Sequence, residues 1–312
     1  MHLRTPRPLI LGVVLIRRAF SVGIIASMLS CSADGQQADL LTLLEAQGFS
    51  LVETGGLGSM RILRFKSPPF ETWKLADQSA LVGISESGDR LLTIVRSERT
   101  VNASRELEIA TLRGEVVTTA RPTVRGMTVL FAELAPDHRL IAFVGNFCRP
   151  AERPSPFGLH VLSVSGEIRM LVATAEADEP NSVGWSRDGK VIVYDTANRV
   201  FLYHLDTQES TLLAAGSNPT WSPDGDWIAY RRPDRTAALI RPNGTQSKGI
   251  LDNVQLGGGL RWSPDGRFIL YTDFKAGEIR VLNIADGRTA TVLAPIDQYT
   301  ETRLRWVRGF PR

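Results

Sequence analysis

One phrase constrains this chain more than any other feature: Trp-Ser-Pro-Asp-Gly, followed one residue later by an apolar run. Trp221-Ser222-Pro223-Asp224-Gly225 leads into Trp227-Ile228-Ala229-Tyr230, and Trp262-Ser263-Pro264-Asp265-Gly266 leads into Phe268-Ile269-Leu270-Tyr271. Trp185-Ser186-Arg187-Asp188-Gly189 leads into Val191-Ile192-Val193-Tyr194. Two looser copies precede these, Ile84-Ser85-Glu86-Ser87-Gly88 and Leu134-Ala135-Pro136-Asp137-His138, and another opens at Trp306. The first positions are spaced by 50, 51, 36, 41 and 44 residues.

Each copy reads as a hairpin. Ser opens the turn, Pro presets φ at the second corner, and Gly takes the left-handed place at the end. His138 stands at that last place in one copy, and histidine tolerates it. The flanking apolar runs do not alternate, as expected of strands buried on both faces. A second turn follows in each complete copy: Arg113-Gly114, Ser165-Gly166, Asp206-Thr207, Asn243-Gly244 and Asp286-Gly287. Four strands per repeat of about 40 residues are the signature of propeller blades.

The expectation is therefore an all-β, six-bladed β-propeller of four-stranded antiparallel blades over 49–312. The last copy holds one strand, 304–307. Its missing strands are expected at 50–53, 60–65 and 71–75, so that N- and C-terminal strands share one blade and close the ring without a free edge. Residues 31–48 read as a linker with a short amphipathic helix over 38–48.

Trp-Ser-Pro-Asp-Gly-x-x-Ile-Ala-Tyr resembles the repeat of TolB-like, WD40-like β-propellers. The resemblance covers about 80–312. Full-length TolB carries an α/β domain before its propeller; the stretch between Cys31 and Ile84 is too short for one, so the resemblance implies a lone propeller and not TolB itself. The repeat also occurs in peptidase propellers and in polysaccharide-acting enzymes, so it implies a fold more than a function.

Residues 1–30 read as a signal peptide. Arg4, Arg7, Arg17 and Arg18 stand there without an acid, and Ala19–Leu29 is an apolar run too short to span a bilayer. A start near Val14 or Leu15 would make Ile16-Arg17-Arg18 the positive region. Met28-Leu29-Ser30-Cys31 resembles a lipobox, which makes Cys31 a lipidation candidate. The alternatives are a plain signal peptide or a Cys31–Cys148 pair. The whole chain has 36 basic and 33 acidic residues, a net charge of +3. Taking four arginines from 36 leaves 32 against 33, a net charge of −1, so the case for a nucleic-acid partner disappears.

Candidate chemistry is sparse. The turn residues Asp224, Gly225, Asp265 and Gly266 are explained by the turn, and Trp185, Trp221, Trp262 and Trp306 by wedging between blades. His2, His138, His160 and His204 show no metal-ligand spacing. Hydrolase elbows, phosphate loops and dinucleotide fingerprints are missing. No catalytic residue, metal or cofactor is expected.

The inserts are more informative. The two earliest copies are longer, the excess falling at Ser97–Arg105 and Gly145–Gly158, between second and third strands. These loops leave one face of the ring and carry Arg99, Arg105, Phe147, Arg149 and Arg153, residue types favoured in recognition. Connections between blades open on the same face and bring Glu179, Asn181, Asn218 and Arg303.

The reading is an exported, periplasmic, monomeric propeller, anchored to the outer membrane if Cys31 is lipidated, that binds a protein or envelope component without catalysis. The alternative is a polysaccharide lyase or hydrolase acting in the central channel. That chemistry needs paired carboxylates, or a base with a metal, and Glu133 and Glu179 are single acids that approach the channel.

Overall fold

The computed structural model describes residues 38–53, 59–65, 71–74, 79–96, 105–122, 127–147, 157–173, 180, 182–252, 259–294 and 304–309. The strands are β1–β3 (Phe49–Glu53, Ser59–Leu63, Glu71–Lys74) and β4–β7 (Ser79–Ile84, Arg90–Arg96, Arg105–Thr111, Val116–Ala120). Next come β8–β11 (Met127–Leu134, Leu140–Phe147, Gly158–Ser163, Ile168–Ala173) and β12–β15 (Val183–Trp185, Val191–Thr196, Arg199–His204, Glu209–Ala215). The series ends with β16–β19 (Ser217–Trp221, Ile228–Arg231, Ala237–Ile240, Lys248–Leu251), β20–β23 (Arg261–Trp262, Phe268–Asp273, Glu278–Asn283, Thr289–Leu293) and β24 (Leu304–Arg308).

Among the described residues these strands form six four-stranded sheets. Five use consecutive strands, and one has the order β24-β1-β2-β3. Pairing is antiparallel within the sheets. The strands β4, β8, β12, β16, β20 and β24 touch in that cyclic order, and β24 returns to β4. The molecule is an all-β propeller of four-stranded antiparallel blades.

The repeated turn explains why each inner strand reverses where it does. Ser222 Oγ accepts a hydrogen bond from the Trp227 amide at 2.9 Å, and Gly225 N–H donates to the Ser222 carbonyl at 2.8 Å. Asp224 Oδ1 accepts from Ser222 Oγ and, at 2.9 Å, from the Asp226 amide. Ser186 with Asp188 and Ser263 with Asp265 repeat the arrangement. The last turn position is left-handed, with φ of 79° at Gly225 and 59° at His138.

The core is parcelled between neighbouring sheets. Leu92, Leu107 and Ile109 of one sheet pack with Ala132, Ile141 and Phe143 of the next, and other seams are filled similarly. Near the axis the backbones come close. A Cβ on Gly83 would lie 2.5 Å from the Ala132 carbonyl oxygen, so only glycine fits.

The closing sheet joins distant parts of the chain. Leu51 of β1 pairs with Trp306 of β24 on one side and with Leu63 of β2 on the other. The Gly309 amide donates to the Gly48 carbonyl at 3.0 Å, and the Arg308 amide to the Gly88 carbonyl at 3.1 Å. A helix over 38–46 buries Leu40 and Leu44 against Phe49, Phe65, Phe268 and Trp306, which covers the seam between the closing sheet and β20–β23. The second strand ends at Leu63, short of the expected 65, and Phe65 beyond it packs its ring on Trp306 with centroids 6.0 Å apart.

Candidate functional site

In every repeat one residue precedes the first motif position: Gly83, Glu133, Gly184, Thr220, Arg261 and Arg305. All but Gly83 line a cavity of about 70 Å³ in the channel, walled also by the first motif residues. Ser85, Glu86 and Pro223 place it at the end where the Ser-Pro-Asp-Gly turns lie. There it shares Ser85, Glu86, Leu134 and Pro223 with a wider recess of about 210 Å³ that reaches Pro136, His138 and Pro264.

Charge is concentrated in this cavity. Glu133, Arg261 and Arg305 border the solvent in the channel but have protein all around them. Burial raises the Glu133 pKa, opposed by the guanidiniums of Arg261 and then Arg305. Burial lowers the Arg261 pKa, opposed by Glu133 and Asp195. Burial, and then the like charge of Arg261, brings Arg305 down to about 9, opposed by Glu133. At the mouth, burial and the Glu133 charge raise Glu86 to about 7 against the pull of Arg187, and Asp224 adds to the rise.

The two arginines are held alike. Arg261 Nη1 donates to the Leu260 carbonyl, and Arg305 Nη1 to the Leu304 carbonyl, each at 3.0 Å. Trp185 Nε1 donates to the Glu133 carbonyl at 3.1 Å, and Trp306 Nε1 to the Arg261 carbonyl at 3.0 Å, so these indoles bridge adjacent inner strands. Four buried polar atoms on the cavity's residues have no hydrogen-bond partner: Glu86 Oε1, Arg261 Nε, Trp221 Nε1 and Trp262 Nε1.

Solved structures share the fold. TolB from Acinetobacter baumannii matches with a TM-score of 0.56 and 14% identity over 83% of this chain and 66% of that one. A putative TolB from Agrobacterium tumefaciens gives 0.54 and 17% over 78% and 89%. A chain of a nidogen/laminin complex gives 0.58 and 15% over 84% and 99%. The fold is that of TolB and other WD40-like propellers. No protein-family model matches the sequence, and no curated protein does. The chain spans slightly under two thirds of the Acinetobacter TolB chain.

Within this TolB-like fold, both cysteines and most of the contact residues expected from the sequence lie outside the described residues: Cys31, Arg99, Cys148, Arg149, Arg153, Glu179, Asn181 and Arg303. Arg105 opens β6 and Phe147 closes β9, and their side chains are likewise not described. Each of these strand ends borders one insert, so Arg105, residues 145–147 and Gly158, expected within the inserts, belong instead to the paired strands β6, β9 and β10. Asn218 has φ of 53°, and its amide donates to Asp195 Oδ2 at 3.2 Å. The tryptophans Trp185, Trp221, Trp262 and Trp306 line the cavity, while Asp224, Gly225, Asp265 and Gly266 form turns.

Of the acids thought to approach the channel, Glu133 lies in the cavity. Sequence reading missed Glu86, Arg261 and Arg305. The available signal was the column just before the first motif position, where glutamate and two arginines replace small residues. His160 is a core residue: it stacks on Phe143 with ring centroids 5.0 Å apart, and burial takes its pKa down to about 4. Among the described residues no three His, Cys, Asp or Glu side chains group as metal ligands.

Proposed function

We propose that this chain is an exported, non-catalytic, six-bladed propeller over 49–312 that binds a protein or another cell-envelope component. Residues 1–30 direct export, and Cys31 carries a lipid anchor to the outer membrane. The observation that carries the reading is the closed ring of four-stranded sheets, a rigid frame with long inserts between the second and third strands of two neighbouring sheets. Rigid scaffolds that hold variable loops are well suited to recognition. Arg99, Arg105, Phe147, Arg149 and Arg153 form the contact face, joined by Glu179, Asn181, Asn218 and Arg303. By its name, the nidogen/laminin chain with this fold belongs to a complex.

The test is in-cell crosslinking of the full chain followed by purification from the envelope. One partner should be lost in the Arg149→Glu, Arg153→Glu double variant while the protein remains folded. An unchanged partner profile would defeat the reading. Palmitate labelling should appear in the wild type and vanish in Cys31→Ala.

A second reading, a polysaccharide lyase or hydrolase, draws support from Glu86 and Glu133 on one cavity. Against it stands the size of about 70 Å³, since ligand pockets usually exceed about 300 Å³. New reducing ends or unsaturated uronates from a polysaccharide panel, absent with Glu133→Gln, would establish that reading.

A further inference from the structure

The channel cavity holds more donors than its own walls satisfy. Arg261 Nε, Trp221 Nε1 and Trp262 Nε1 are buried N–H groups without an acceptor, all on residues lining one space. A buried donor left unpaired costs about 1–3 kcal/mol, more when charged, so such a cluster calls for an acceptor in the cavity. Two guanidiniums border this space, and the second titrates low partly because it faces the first. Glu133 balances one of them. A volume of about 70 Å³ takes about two waters, at about 30 Å³ each, or one small anion.

We propose that the channel of this propeller binds one monovalent carboxylate group between Arg261 and Arg305, entering from the face of the Ser-Pro-Asp-Gly turns. Arginine presents paired N–H donors that match the two carboxylate oxygens. Charge selects a monoanion over a phosphate dianion. With Glu133 ionised and Glu86 protonated, Arg261 and Arg305 leave one net positive charge in the cavity. This site is independent of the insert loops, which leave the ring at the opposite face.

Occupancy is coupled to a proton. The charged groups around Glu86 are Glu133, Arg187 and Asp224, with Arg261 and Arg305 across the cavity and His138 in the adjoining recess. An ionised Glu86 cancels the net positive charge, so the anion binds the protonated form. With a pKa of about 7, Glu86 is about tenfold more protonated at pH 6 than at pH 8.

The experiment is isothermal titration of the purified full chain in carboxylate-free buffer at fixed chloride. Probes are sodium acetate, inorganic phosphate, a short peptide with a free terminal carboxylate, and its C-terminal amide. Saturable binding of acetate identifies a free small carboxylate as the ligand. Binding of the peptide acid but not its amide or acetate identifies a chain-borne carboxylate; either supports the site. Affinity should fall about tenfold from pH 6 to pH 8 in the wild type and stay flat in Glu86→Gln. Arg261→Gln should weaken binding about tenfold or more. Glu133→Gln should tighten it, a gain that a misfolded variant cannot mimic. The proposal is overturned if no carboxylate binds, if the amide binds as well as the acid, if phosphate at pH 8, where it is chiefly the dianion, binds more tightly than the carboxylate, or if Glu133→Gln weakens binding.

Discussion

Glu86 makes stability depend on pH with a sign opposite to that of most carboxylates. Its ordinary pKa of 4.5 is raised to about 7 in the folded protein, chiefly by burial. Below pH 4.5 both folded and unfolded chains carry the proton, and well above 7 neither does. Between these limits only the folded chain holds it, so stability falls as pH rises. The interval from 4.5 to about 7 corresponds to about 3 kcal/mol, of which about 2–3 is lost between pH 5 and pH 8. Glu86→Gln keeps the shape and removes the titration. Urea unfolding followed by tryptophan fluorescence, at pH 5, 6, 7 and 8, measures the difference between the two proteins. Other groups, such as the low-titrating Asp89 and Asp188, cancel in that difference. The variant should gain on the wild type as pH rises. Parallel profiles across this range would refute the burial of Glu86 at the channel mouth.

Three further outcomes follow from packing and hydrogen bonds, each read as a change in unfolding free energy in urea. Leu44→Ala empties a fully buried site beneath the helix and should cost about 2–5 kcal/mol. Trp185→Phe and Trp221→Phe remove similar volume, but only Trp185 Nε1 has a carbonyl partner, so the first should cost about 1 kcal/mol more than the second. His138→Gly relieves a left-handed backbone at φ of 59° and should stabilise by up to about 1 kcal/mol, the gain being limited by the greater freedom of glycine in the unfolded chain.

Turn chemistry and unbroken apolar runs are local, so they survive in a linear reading. Ser222, Pro223, Asp224 and Gly225 specify a reversal whatever surrounds them, and the register of Trp221 on Ile228 follows. The closing sheet was legible because a strand at 304–307 without partners implies strands elsewhere. The channel's charge cluster was not legible, because its chemistry is assembled from residues of four different repeats. The sequence places Glu133 near the channel, but its two arginine neighbours, Arg261 and Arg305, appear only when the ring sets all three in one cavity. In the chain each is one charged residue before an apolar motif, and only alignment of the repeats shows that all three share one column. Glu86 was hidden differently: it occupies the proline place of a degenerate repeat, where a loop carboxylate would ordinarily be solvated. Burial by neighbouring turns, not residue type, makes it unusual.

The pairing of Leu51 with Trp306 also has a temporal meaning. Strands β1–β3 are synthesised long before their innermost neighbour, β24. Until 304–308 are released, the sheet lacks its axial strand and the ring has two open flanks. Such long-range contacts slow folding and leave strand edges exposed in the interim. A nascent chain of this design stays unlocked until β24 is released, and a product that stops before residue 304 never acquires a latch.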